Sequence, residues 1–181
     1  MKGVVFTEFL EMVETAYSPD LADDIIESSD LPSGGVYTAV GTYDAAEMTA
    51  LVGSLSERVD VPVPDLLRAY GRFLFGRFGE MYPGFFTGDG DVLDFLAGIE
   101  RVIHSEVHKL YPDAELPRFT VTRPTSDQLV MVYRSPRRLG DLAEGLISGA
   151  VAHFDEPCQV TRHEEPDDPT VVTFTIVRNP R

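Results

Sequence analysis

Tryptophan is absent from this chain, cysteine occurs once, and basic residues are outnumbered by acids, 15 Lys+Arg against 30 Asp+Glu. Each shortage closes a class of reading. A single thiol, Cys158, cannot form an intrachain disulfide or furnish a cysteine-rich metal site. Without tryptophan, no indole N–H can serve as a donor inside the fold. A formal net charge of −15 repels a duplex and an anionic membrane surface, so neither nucleic acid nor membrane is expected as a partner. The ordinary use of such acidity is solubility. No apolar run approaches the ~20 residues that span a bilayer. The opening Met1-Lys2-Gly3-Val4-Val5-Phe6-Thr7-Glu8 runs on to Glu11, with acids where a secretory leader needs an apolar stretch. The chain reads as cytoplasmic.

What is present suits one folded domain. At 181 residues, 43% of them hydrophobic, the chain can bury a substantial core as a single unit, with or without two lobes. Phe6, Phe9, Leu10, Val13 and Tyr17 recur at helical spacing. Ser18-Pro19 resembles a cap with a first-turn proline, opening a short helix through Leu21, Ile25 and Ile26. Asp44-Ala45-Ala46-Glu47 resembles a capping box ahead of a stripe of Met48, Leu51, Val52 and Leu55. Val61-Pro62-Val63-Pro64-Asp65 breaks that helix and is the best internal boundary of the first half. The next helix runs through Leu67, Tyr70, Leu74, Phe75, Phe78 and Tyr82. Its interior glycines, Gly71 and Gly76, either let something flat approach the backbone or are simply tolerated. Tyr82-Pro83-Gly84 ends it, and Thr87-Gly88-Asp89-Gly90-Asp91 reads as a loop.

A helix is then expected from about Asp91 to Leu110, with Leu96, Ile99, Ile103, Val107 and Leu110 as its stripe and His104 at the rim of the buried face. Beyond Tyr111-Pro112-Asp113 the period becomes two. Phe119–Thr122 and Leu129–Tyr133 are strand-like, Leu139 to Phe154 is helical, and Cys158–Thr161 with Val171–Val177 closes a sheet around an acidic loop at Glu164–Pro169. There is no internal repeat. A helical half precedes a mixed half with an antiparallel sheet, so the fold class is α+β. The division is a helical lobe over about 1–63 and a mixed lobe over about 64–181.

Two constellations bear chemistry. His104 alone is most simply a hydrogen-bonded core histidine. With His108 at i+4 it could hold zinc on one helix face, but Ser105 stands where a zinc hydrolase needs its glutamate. Tyr133, Ser135 and Arg137, at i, i+2 and i+4, project to one side if the backbone is extended. Two hydroxyls and a guanidinium can hold a pair of carboxylates. A solvated strand end is the plainer alternative for that pattern alone. A histidine ligand combined with such a clamp suits an apolar metallocycle with acidic arms, which is haem.

The two stretches, I-H-S-E-V-H-K-L-Y-P at 103–112 and Y-R-S-P-R at 133–137, resemble the H-NOX (haem–nitric oxide/oxygen binding) domain, the sensor module related to that of soluble guanylate cyclase. The resemblance runs from M-K-G-V-V-F-T-E-F-L-E at the start through L-A-E-G-L at 142–146. It implies a single H-NOX domain over 1–181, with the 1–63 lobe distal, the 64–181 lobe proximal and haem b (iron protoporphyrin IX) between them. It makes His104 the proximal iron ligand and Tyr133, Ser135 and Arg137 the clamp on the propionates. Pro117 matches the proline that presses on the macrocycle, and Val5, Phe78 and Leu146 match apolar pocket wall. Oxygen-binding members carry a distal tyrosine five residues after the motif's arginine, where this chain has Leu142. Bound oxygen wants a donor far more than nitric oxide does, so an apolar wall favours nitric oxide; Tyr70 is the one other hydroxyl considered as a donor from its helix. Some relatives have a structural zinc site near the C-terminus; His163 is kept here, but with only one cysteine no such site is expected.

The implied function is a gas sensor without catalysis of its own. Nitric oxide, or carbon monoxide, binds a five-coordinate ferrous haem, and weakening of the iron–His104 bond signals to a separate effector, a histidine kinase or a cyclic-di-GMP enzyme. The alternatives are a haem-free small-molecule binding module of the same fold, and a metal-dependent hydrolase built on His104 and His108.

Overall fold

The computed structural model describes residues 1–86 and 90–179; of the loop expected at 87–91, Thr87, Gly88 and Asp89 lie outside the described residues. Helix α1 (Val4–Ala16) buries Phe6, Phe9, Met12 and Val13, whereas Tyr17 lies just past its end and is exposed. Helix α2 (Pro19–Glu27) is capped as its sequence predicts, Ser18 Oγ accepting from Leu21 N–H at 3.1 Å. Helix α3 (Ala45–Val59) is capped by Asp44, which accepts from Ala46 N–H. The reciprocal half of the expected capping box does not form. Glu47 turns inward, is nearly fully buried, and accepts from the hydroxyls of Ser33 and of Tyr37, the latter at 2.8 Å. A buried carboxylate takes two good donors in preference to one backbone amide at a solvated helix end.

Helix α4 (Val63–Met81) starts at the proline break, with Pro64 in its first turn. After it, α5 (Val92–Gly98) opens on a reciprocal Asp91–Asp94 capping box. The expected twenty-residue helix is not continuous: a π-helical turn, Ile99–His104, separates α5 from α6 (Ser105–Leu110). Strands β1 (Arg118–Thr125) and β2 (Gln128–Arg134) form a hairpin, α7 (Gly140–His153) follows, and β3 (Cys158–Glu165) and β4 (Asp168–Arg178) form a second hairpin. The stretch read as an acidic loop is therefore mostly strand, with Glu165 paired to Asp168 across a turn at Pro166-Asp167.

The sheet is antiparallel throughout, in the order β1-β2-β4-β3. Alternation places Leu129, Met131 and Tyr133 of β2 opposite Ile176, Phe174 and Val172 of β4, all buried on one face. The buried residues form two clusters, one built on α1, α2, α3 and the start of α4, the other on α5, α7, the sheet and Phe75 of α4. Helices α4 and α7 serve both, and they touch backbone to backbone. A Cβ on Gly71 would lie 2.4 Å from the Leu142 carbonyl oxygen and 2.7 Å from Gly145 Cα, so Gly71 is explained by the approach of α7 and not by a flat group. Gly76 has open space around it. Among the described residues no helix is long and apolar enough to cross a membrane.

Candidate functional site

A cavity of about 280 Å³ lies where the two clusters meet, close to the lower bound of the roughly 300–1,000 Å³ usual for small-molecule sites. Its wall is almost wholly apolar. All nine residues that the resemblance assigns to haem line it. Val5 comes from α1 and Phe78 from α4; Leu142 and Leu146 come from α7. His104 closes the π-helical turn, Pro117 lies just ahead of β1, and Tyr133, Ser135 and Arg137 run from the end of β2 into the turn after it.

His104 is largely enclosed, its side chain 13% exposed. Its Nδ1 lies 3.0 Å from Glu100 Oε2, and because an ionised carboxylate only accepts, Nδ1 carries the proton and Nε2 keeps its lone pair. Burial lowers the pKa of the imidazole below its ordinary value, outweighing the opposing pull of Glu100. A neutral ring is the form that ligates a metal. His108 is exposed and does not line the cavity, and among the described residues no three His, Cys, Asp or Glu side chains gather as a metal site.

The three clamp residues meet the cavity by a different route from the one expected. The extended backbone ends at Arg134. Ser135 N–H then donates to Thr170 O, Arg138 N–H donates to Ser135 O, and Arg138 adopts a left-handed φ of 55°. A turn through Pro136, not strand alternation, brings Arg137 to the side of Tyr133. Tyr133 Oη accepts from Leu139 N–H at 3.2 Å at the start of α7, and burial raises its pKa. Arg137 shows the chemistry of its fork directly: one guanidinium nitrogen donates to Glu115 Oε2 at 2.8 Å and the other to Glu115 O at 2.6 Å. Glu115 is 86% exposed, so a carboxylate from outside the cavity wall already sits on this guanidinium. The residues therefore fit haem: an imidazole nitrogen with a free lone pair, an apolar enclosure, and a guanidinium that takes a carboxylate at the cavity's edge.

Leu142 is 7% exposed and faces the cavity from α7. Tyr70 does not line the cavity; fully buried, it donates its hydroxyl to the Val5 carbonyl at 2.5 Å. Tyr82 and Tyr111 do line it, and burial, with Tyr111 beside it, raises the pKa of the Tyr82 hydroxyl. The ammonium of Lys2 stands 4.9 Å from the centre of the Tyr111 ring and 3.2 Å from Asp113, which also accepts from Thr42. These contacts fasten the N-terminal segment to the end of α6.

The Haem-NO-binding family profile matches residues 2–162. The chain belongs to the H-NOX family. The unliganded Fe(II) H-NOX protein from K. algicida is 40% identical, with 100% of this chain and 98% of that one covered, at a TM-score of 0.94. The IWP-051-bound H-NOX from Shewanella woodyi in its Fe(II)CO state is 41% identical over 100% and 96% of the two chains, with a TM-score of 0.85. The S. oneidensis H-NOX in its Fe(II)NO state is 28% identical over 99% and 100%, with a TM-score of 0.91. No curated protein matches. The α+β fold is that of H-NOX domains, which are haem-based sensor modules.

Several wall residues of this H-NOX chain were not singled out in its sequence. Phe86, Phe95 and Phe119 were anonymous apolar residues, and no periodicity separates a cavity-lining phenylalanine from a core one. Glu100 did have a marker, an acid four residues ahead of His104 on one helix face.

Proposed function

We propose that this chain is a nitric oxide sensor that holds haem b between a helical distal lobe of about 1–63 and a mixed proximal lobe of about 64–181. The observation that supports it best is the meeting of His104, Arg137 and Leu142 on one apolar cavity. His104 would hold the iron through Nε2. Tyr133, Ser135 and Arg137 would hold the propionates, with Arg137 exchanging the Glu115 carboxylate for one of the same charge. Pro117 would press on the macrocycle, and Val5, Phe78, Leu142 and Leu146 would wall it. When bound, haem would supply a ferrous iron able to take nitric oxide or carbon monoxide, and His104 would be the protein ligand whose hold on that iron responds to the gas.

Selectivity in this reading belongs to the wall. Leu142 offers no donor, and Tyr70 is engaged by Val5. The response belongs to the His104 side, where α6 ends on contacts with Lys2 and Thr42 of the N-terminal segment. Movement of His104 would change those contacts, giving two states with different interactions, as a ligand-driven switch needs. The chain would catalyse nothing itself and would signal in the cytoplasm to a separate histidine kinase or cyclic-di-GMP enzyme. An absorption spectrum of the reconstituted ferrous protein tests the core of the reading: a five-coordinate haem that changes with nitric oxide is expected, and failure to take up haem would overturn it.

A further inference from the structure

We propose that Glu100 is a positioning residue for His104, whose carboxylate charge sets the strength of the iron–His104 bond. The inference deepens the haem reading above and rests on it. One oxygen of Glu100 does two things: Oε2 accepts from His104 Nδ1–H at 3.0 Å and from the backbone N–H of Phe119 at 3.1 Å. The second bond matters because Phe119 is fixed in the sheet opposite Tyr133. A carboxylate tied only to its own helix would follow the imidazole wherever it went; this one is also pinned to β1. The ring is held from a third direction by Phe119 itself, whose centroid lies 5.9 Å from that of His104. Glu100 and His104 both belong to the π-helical turn, the one interruption in the run from Val92 to Leu110. That widened turn brings an acid and a histidine into contact beside the cavity.

The chemical consequence follows from the direction of the proton. With Nδ1–H donating to a carboxylate, Nε2 is fixed as the ligating nitrogen and imidazolate character is pushed onto it, which raises its basicity toward a metal. A neutral acceptor of the same shape would fix the tautomer but push less. Glu100 thus sets how hard His104 holds on, and therefore how readily a gas on the opposite side can loosen it. The deciding side chain touches neither gas nor macrocycle.

Two variants separate charge from geometry. Glu100→Gln keeps a carbonyl oxygen for both N–H donors and removes the charge; Glu100→Ala removes the acceptor as well. The readouts are the iron–histidine stretching frequency of the gas-free ferrous protein by resonance Raman, and the rate at which haem transfers to excess apomyoglobin. The stretch is expected to fall from wild type to Glu100→Gln and further to Glu100→Ala, with haem loss faster by about 10–100-fold in the alanine variant. A Glu100→Gln protein with the wild-type stretch and transfer rate would overturn the proposal while leaving haem binding intact. Wild-type protein that takes up no haem would overturn the functional reading itself, so the two failures are distinguishable.

Discussion

The cavity has two unlike walls. One, formed by α4 and α7, is closely packed, backbone against backbone. Leu66, Leu67, Tyr70, Leu74 and Phe75 of α4 are buried, as are Leu142, Ala143, Ile147 and Ala150 of α7, and Gly71 meets Gly145 where a side chain would not fit. The other wall, from Ile99 to Leu110, contains no fully buried residue, interrupts its helix with a π turn, and exposes Val102 and Leu110. Local opening costs least where few apolar contacts are lost. The contrast suits a division of labour in which the packed wall sets which ligand fits and the lightly packed wall moves. Helix α6 is held mainly by contacts that can rearrange: Glu100 to His104 at one end, and Tyr111 and Asp113 to Lys2 at the other.

The largest effect should come from the lightly packed wall. His104→Gly is expected to abolish haem retention or to make it depend on added imidazole, read from the absorption spectrum. An unchanged spectrum would remove His104 from its role and the contrast with it. Next comes a chemical change on the packed wall. Leu142→Tyr adds a hydroxyl to a side chain facing the cavity, and the ferrous variant is expected to form a stable oxygen complex in air where wild type forms none. If both proteins behave alike in air, the α7 wall does not set selectivity.

The sequence made the chemistry of these walls legible more readily than their geometry. His104 and Arg137 stood out because their side-chain chemistry is scarce or conspicuous at those spacings, whereas Leu142, an ordinary leucine, was marked only by the resemblance to the H-NOX family. The π turn was invisible, because hydrophobic recurrence every three to four residues continues on both sides of a single widened turn. The turn after Arg134 was missed because Y-x-S-x-R reads equally well as a strand end; only the Ser135–Thr170 and Arg138–Ser135 bonds show the chain leaving the sheet. Glu47 looked like half of a capping box, and nothing local shows that Ser33 and Tyr37 wait for it in another segment. Gly71 had the same difficulty, since its partner Gly145 comes from a helix far along the chain.

The packing contrast can be measured as stability. A Cβ on Gly145 would lie 2.3 Å from the Arg68 carbonyl oxygen and 2.8 Å from Gly71 Cα, both backbone atoms that cannot swing aside. Gly145→Ala should therefore cost about 1–3 kcal/mol, as overpacking does elsewhere. Val102→Ala, at a position 42% exposed on the other wall, should stay within about 0.5 kcal/mol of wild type. Denaturant unfolding of both variants gives the comparison, and equal losses would erase the distinction between a packed and a loosely packed wall.

The smallest effect sharpens the same contrast by pH. The helical cluster beneath Val5 encloses ionisable hydroxyls: Tyr37 stacks on Phe6 with ring centres 4.5 Å apart and donates to Glu47. Its pKa is pushed up to about 12 from 10.0, first by burial and then by the Glu47 carboxylate, with Ser33 pulling the other way. A tyrosine whose pKa is raised on folding favours the folded state fully below its unfolded pKa. That contribution is lost as pH rises from about 10 to about 12, because the unfolded chain releases its proton first. Tyr70, Tyr82 and Tyr133 are raised as well, so wild-type stability should fall along an alkaline limb to which all four contribute. Tyr37→Phe should make that limb shallower and leave the neutral and acidic limbs parallel to wild type, as measured by thermal unfolding across pH. An alkaline limb as steep as wild type would place the buried, proton-holding character of this region in the other three tyrosines, two of which, Tyr82 and Tyr133, line the cavity.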